Sequence, residues 1–152
     1  MYPNTPTIVV SGGHPSQMSV TSSITVGALV QVAQRATDLD TSVSFYHDVL
    51  GARVLGKFDP PGLALVELGG IRLLLEPGAS SATLYFRTDD LDAAYAALQQ
   101  RGDVQLMGEP HVVHRDESGQ FGRAGEAEWM MFLRDPSGNM IGLIERRPVA
   151  RT

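Results

Sequence analysis

The segment QRATDLD at positions 34–40 returns as FRTDDLD at 86–92, a fixed step along the chain. Arg35 falls on Arg87, Asp38 on Asp90 and Leu39 on Leu91. IRLLLE (71–76) returns less sharply as MIGLIE (140–145). An internal repeat of this period constrains the fold more than any composition does, because each copy must be one supersecondary unit. A unit of about 50 residues buries a sheet poorly on its own, so the two copies are expected to associate.

Each copy reads β-α-β-β-β. LVQVAQRA is rich in strand formers, and DLDTSVSFYHDVLG reads as a helix. Leu39, Val43, Tyr46 and Leu50 recur on one face of a 3.6-residue period. Asp38 or Asp40 suits the helix start and Gly51 its end. RVLGKF, LALVEL and IRLLLE follow as strands, with Pro60-Pro61-Gly62 and Gly69-Gly70 as turns. In the second copy TLYFRT reads as a strand and DDLDAAYAALQQRG as a helix, with Leu91, Ala94, Tyr95 and Leu98 on one face. VQLM or HVVHR, then EWMMFL and NMIGLIE, complete it. The expected fold class is α+β: two paired βαβββ modules forming a curved mixed sheet around a cavity. The expected domain spans 28–148, with module one at about 29–78 and module two at about 82–147. Residues 1–27 carry no charge and are rich in Pro, Ser, Thr and Gly, which reads as a flexible or accessory leader. Thr7–Val10 and Ile24–Val26 are its strand-forming stretches.

Composition narrows the chemistry. The chain has no cysteine, which removes disulfides and thiolate chemistry together. Net charge is −5, against a nucleic-acid footprint. There is no apolar run long enough to span a membrane and no secretory signal pattern, so a cytoplasmic protein is expected. Histidine is scarce: His14, His47, His111 and His114.

ATDLDTSVSFYHDVLG, RTDDLDAAYAAL and FLRDPSGNMIGLIE, within about 29–147, resemble the vicinal oxygen chelate superfamily: glyoxalases, epimerases, extradiol dioxygenases and bleomycin-resistance proteins. The resemblance implies a glyoxalase-like fold, and a homodimer as the common assembly. Enzymes of the superfamily hold one divalent metal with four side chains, from the first and last strands of each module. Carried onto this chain, the resemblance assigns those positions to Gln31, Leu73, Thr83 and Gly142. Glutamine is an accepted ligand in some glyoxalases, but leucine and glycine have no donor and threonine is a weak one. A one-residue register shift offers Arg72 or Leu74, and only a three-residue shift brings in Glu76. The expectation is therefore a non-metal branch, with no metal site and no cofactor.

Other residues are left to carry function. Arg35 and Arg87 fall on the same strand face as Gln31 and Thr83. They can clamp an anion through bidentate hydrogen bonds, or pair with nearby aspartates at the surface. Tyr85 shares that face. His111 and His114, three apart in a strand, are expected on opposite faces, with one of them free to act as acid or base or both lying at the surface. Glu126 or Glu128 can face inward as a base. Of Met130 and Met131 one is expected in the core. Trp129 is either core or a stacking surface for a planar ligand. ESGQFGRAGE, glycine-rich, is a surface connection or a lid.

The expected function is binding of a small organic molecule, anionic in one form, in the inter-module cavity without the usual metal. Gln31, Arg35, Thr83, Tyr85, Arg87 and Trp129 are the candidate ligand-binding residues. His111, His114 and Glu128 are the candidate catalytic ones. Two alternatives stand beside it. One is a metal-dependent lyase, isomerase or dioxygenase with displaced ligands. The other is a metal-free isomerase or lyase.

Overall fold

The computed structural model describes residues 7–9, 17–19 and 28–150. A short antiparallel pair, β1 (Thr7–Val9) and β2 (Gln17–Ser19), precedes the two modules. Thr7–Val9 of the first expected leader strand is thus a strand, while Val10 and Ile24–Val26 lie outside the described residues.

Module one runs β3 (Gln31–Arg35), α1 (Leu39–Asp48), β4 (Arg53–Phe58), β5 (Leu63–Leu68) and β6 (Ile71–Glu76). Its sheet order is β3-β6-β5-β4, with β3 parallel to β6 and the rest antiparallel. Module two runs β7 (Leu84–Arg87), α2 (Leu91–Arg101), β8 (Gln105–Leu106), β9 (His111–Asp116), β10 (Glu126–Arg134) and β11 (Met140–Pro148). Its order is β7-β11-β10, with β7 parallel to β11. β8 and β9 both pair with β10, so VQLM and HVVHR each contribute strand residues. The topology of the first module is repeated, as the sequence repeat requires.

Both helices form for local reasons. The side chains of Asp38 and Asp90 accept from the N–H groups of Thr41 and Ala93, capping α1 and α2. Gly102 ends α2 at a φ of 72°, a left-handed turn that glycine adopts without strain. α1 buries Ser42, Phe45 and Tyr46 against its sheet, so Phe45 joins the face expected from the period. α2 buries Leu91 and Leu98.

Each sheet alternates. In module one Ala64, Val66, Leu73 and Leu75 are buried toward the helix, and in module two Met131, Leu133, Ile141 and Leu143 are. These residues form one apolar cluster across both modules. The two sheets are not joined by a strand ladder. The seam is made instead by the fully buried Gln34, whose amide donates to the Ala82 carbonyl at 3.1 Å and accepts from the Ala82 N–H at 3.0 Å. Asp135 and Asn139, in the turn before β11, are also buried at this seam. Tyr46 Oη donates to Asp135 Oδ2 at 2.8 Å, and Asn139 Nδ2 donates to the Arg35 carbonyl at 2.7 Å. Burial, with the Asp135 charge beside it, pushes the Tyr46 phenol well above its usual range. Among the described residues no helix is long and apolar enough to cross a membrane.

Candidate functional site

The face of module two that α2 leaves open carries a cleft of about 620 Å³. Alternation along β11 puts Gly142, Ile144 and Arg146 on this face, because Ile141 and Leu143 face the core. β7 adds Tyr85 and Arg87 on one side, with Tyr85 opposite Gly142 and Arg87 opposite Ile144. β10 adds Glu126 and Glu128 on the other side. Phe121, Gly122 and Arg123, from the loop between β9 and β10, and Thr88 and Asp89, just after β7, form the remaining walls.

Arg146 organises the polar end. Its Nε donates to Glu126 Oε2 at 3.0 Å, and its Nη1 to Glu128 Oε2 at 2.9 Å. Its Nη2 donates to Asp116 Oδ2 at 2.8 Å and to the Arg123 carbonyl at 3.2 Å. Glu126, Asp116 and Glu128 hold the guanidinium charged. Burial alone would raise the Asp116 carboxyl. The Phe121 N–H, Arg146 and the Gln120 N–H outweigh it and bring the carboxyl down to about 2. The glycine-rich loop is thus tied to the floor of the cleft. A Cβ at Gly122 would lie 2.7 Å from the Arg146 guanidinium carbon, so the loop's approach depends on that glycine.

The histidines differ from expectation. Register pairs His114 with Glu128 and His111 with Met130, while Trp129 faces Val112. A β-bulge at Val113 absorbs one residue, so both histidines share the open face rather than occupying opposite ones. The His114 ring meets Phe121 edge-on at 5.0 Å, and its Nε2 is buried without a hydrogen-bond partner. The His111 ring lies 6.4 Å from that of Phe132. Glu126 and Glu128, two apart, both face the cleft where one was expected to. Met131 is core and Met130 lies on the open face.

Of the other sequence candidates, Tyr85, Arg87 and Glu128 line the cleft. Gln31, Arg35 and Thr83 are exposed and lie outside its lining, so the structure does not bring the two arginines together there. Arg35 stands opposite Glu76 in the ladder. Trp129 is on the helix-facing side, packed against the core with the Arg147 guanidinium 4.4 Å from its ring centre. It therefore serves as core rather than as a stacking surface of the cleft. Arg146, Asp116 and Phe121 were missed. Stepping by two from Gly142 along the last strand reaches Arg146 and was the available signal.

The positions that the superfamily's enzymes use for metal do not suit a metal here. The pairing of β3 with β6 and of β7 with β11 also corrects one of them. Val32 pairs with Leu73, whereas its repeat mate Leu84 pairs with Ile141. Leu73 accordingly faces the core, and Leu74 is the residue that matches Gly142. The set becomes Gln31, Leu74, Thr83 and Gly142, which offers one amide and one hydroxyl. Gln31 also stands opposite the cation Arg72. At Gly142 the space is filled: a Cβ would lie 2.6 Å from Tyr85 Cδ1 and 3.2 Å from Phe132 Cε1. Among the described residues no three His, Asp or Glu side chains are grouped to hold a metal.

A family model described as the Glyoxalase/Bleomycin resistance protein/Dioxygenase superfamily matches residues 28–143. Several solved structures are similar. An integron cassette protein from V. Cholerae is 26% identical over 80% of this chain and 96% of its own, with a TM-score of 0.61. One from V. Pseudocholerae is 27% identical over 80% and 95%, with a TM-score of 0.61. A lactoylglutathione lyase from Agrobacterium tumefaciens is 23% identical over 79% and 94%, with a TM-score of 0.59, a likeness of fold alone. No curated protein sequence matches the chain significantly.

Proposed function

Because the chain belongs to the glyoxalase/bleomycin resistance protein/dioxygenase superfamily, we propose that it binds a small organic molecule in the cleft of module two, without the divalent metal of the superfamily's enzymes. The observation that carries this reading is the cleft itself. Its volume of about 620 Å³ lies in the ordinary range for small-molecule sites. Its walls combine an aromatic ring on each side, Tyr85 and Phe121, with an apolar floor at Ile144 and charges of both signs, Arg87, Arg123 and Arg146 against Asp89, Glu126, Glu128 and Glu145. The donor set at the metal positions and the aromatic filling over Gly142 support the metal-free part. A homodimer, expected from the sequence resemblance, belongs to the same reading.

One observation supports a second reading, a metal-free proton-transfer enzyme. His114 faces Glu128 across the strands, and its buried Nε2 has no partner. An imidazole with an uncommitted ring nitrogen is the usual equipment of a general base.

A screen for compounds that raise the melting temperature tests the main reading, since a ligand that binds only the folded state stabilises it. The expected result is a hit whose effect disappears in Ile144→Trp, which fills the cleft floor. Hits unaffected by that substitution, or no hit at all, would count against the cleft. A stoichiometric divalent ion in protein purified without chelator would overturn the metal-free part. Turnover of a hit, lost in His114→Gln, would favour the second reading.

A further inference from the structure

We propose that the cleft selects an aromatic carboxylate, with its ring stacked on Tyr85 and its carboxylate held by Arg87; this rests on the cleft being the ligand site. Tyr85 and Phe132 flank Gly142 on the two neighbouring strands, one residue on each side. Their rings meet edge to face, 6.1 Å between centres at 81°. The absence of a Cβ at Gly142 is what lets the Tyr85 ring settle there, since any side chain would meet it at 2.6 Å. Aromatic side chains laid over sheet glycines are a recognised device of β-sheets that helps to pin strand register. Pinned rings are normally buried, yet Tyr85 remains 54% exposed and lines the cleft. A ring fixed on one side and open on the other is a stacking platform that loses little side-chain freedom when a ligand arrives.

Arg87 lies two residues further along the same strand, on the same face and in the same cleft. Two residues of strand are about 6.5 Å, a span that matches an aryl ring with its attached acid group reaching a guanidinium. The cleft's other arginine in the sheet, Arg146, is already committed to Glu126, Glu128 and Asp116. Arg87 has no ion-pair or hydrogen-bond partner among the described residues. Of the lining carboxylates, Glu126 and Glu128 are occupied by Arg146 and Glu145 by Arg147 and the Leu91 N–H, which leaves Asp89 beside Arg87 as the acidic limit of the anion site. The guanidinium fork favours a planar carboxylate held by two parallel hydrogen bonds. Aromatic plane and acid group together define the ligand class.

The test uses three probes of one skeleton on the full chain, followed by isothermal titration. They are naphthoate, its neutral isostere naphthamide, and the saturated decahydronaphthoate. Naphthoate is expected to bind about tenfold or more tightly than either of the others. Arg87→Gln should weaken naphthoate about tenfold and leave naphthamide unchanged, while Tyr85→Leu should weaken both and Tyr85→Phe neither. A loss of folding in Tyr85→Leu is checked by its melting temperature, and Tyr85→Ser then stands in for it. The proposal is overturned if the three probes bind alike, if Arg87→Gln affects acid and amide equally, or if the ring-removing variants bind naphthoate normally. Should no probe bind while a screening hit still depends on Ile144, the aromatic-acid assignment fails and the cleft reading survives. If neither occurs, both fail.

Discussion

Tyr46 shows how much one hydroxyl can matter. The residue is fully buried, and its Oη donates to an Asp135 carboxylate that is itself only 5% exposed. Asp135 also accepts from the N–H groups of Ser137 and Asn139 and from Asn139 Nδ2, so it organises the turn before β11. Tyr46→Phe removes one donor from a buried carboxylate and is expected to cost about 1–3 kcal/mol. Tyr95→Phe, whose hydroxyl accepts an exposed bond from Gln99, should cost less than about 0.5 kcal/mol. Urea unfolding of the two variants side by side checks the contrast; equal losses would refute it. Sequence periodicity placed Tyr46 on the buried face. It carried no sign that Asp135, 89 positions away, would be its partner. Gly142 is a similar case. As a letter it reads only as a missing ligand, and the rings of Tyr85 and Phe132 over it belong to neighbouring strands.

At the scale of elements, β4, β5 and β6 coincide with the sequence segments RVLGKF, LALVEL and IRLLLE. Glycine and proline turns bound them, and local chemistry is enough to mark such ends. The same holds for the helix starts. Asp90 caps α2 through its side chain, and Asp90→Ala is expected to cost about 1 kcal/mol. Thermal unfolding with far-ultraviolet circular dichroism reads that loss, and Asp90→Asn or Asp90→Ser should recover most of it. A variant as stable as the parent would mean that the cap is not used. β9 marks where local reading stops. Period-two alternation assigned His111 and His114 to opposite faces. The bulge at Val113 reverses that, and a bulge is defined by the partner strand's register. The one-residue shift between Leu73 and Leu74 has the same origin, since ladder pairing rather than sequence similarity decides which residues correspond.

For the whole molecule, the charge cluster around Arg146 ties loop, strands and cleft to one another. Asp116 in the folded chain titrates at about 2, below its ordinary 3.8. A carboxyl depressed by folding contributes stability that is complete above about pH 3.8 and is lost as pH falls toward 2. Arg146→Met takes away the guanidinium that faces Asp116, Glu126 and Glu128. The Asp116 carboxyl should then rise, and the acid-unfolding midpoint should move to higher pH. Circular dichroism along an acid titration measures this; an unchanged midpoint would show that the cluster does not couple to folding. The same substitution removes the tie between the cleft floor and the Arg123 carbonyl of the loop, so a ligand of the cleft should bind more weakly to it.

The amino-acid sequence by itself determined the repeat, the two βαβββ modules, the glycine that ends α2, a choice of two aspartates for the start of α1, and most strand limits. These follow from short-range rules: periodicity, capping side chains and turn residues act within a few positions of one another. Carried over from the superfamily, two of the four usual metal positions fall on residues without a donor, because a glycine or a leucine has none in any fold. Tyr85, Arg87 and Glu128 could be named from alternation and repeat, and they do line the cleft. The tertiary structure alone decided which of the remaining candidates meet. It moved Trp129 to the helix side and left Arg35 outside the cleft. It brought Arg146 onto three carboxylates that lie 18 to 30 residues away. Those outcomes depend on strand register, on a single bulge and on the path of a loop. Each is settled by packing between segments distant in the chain, which no local pattern encodes.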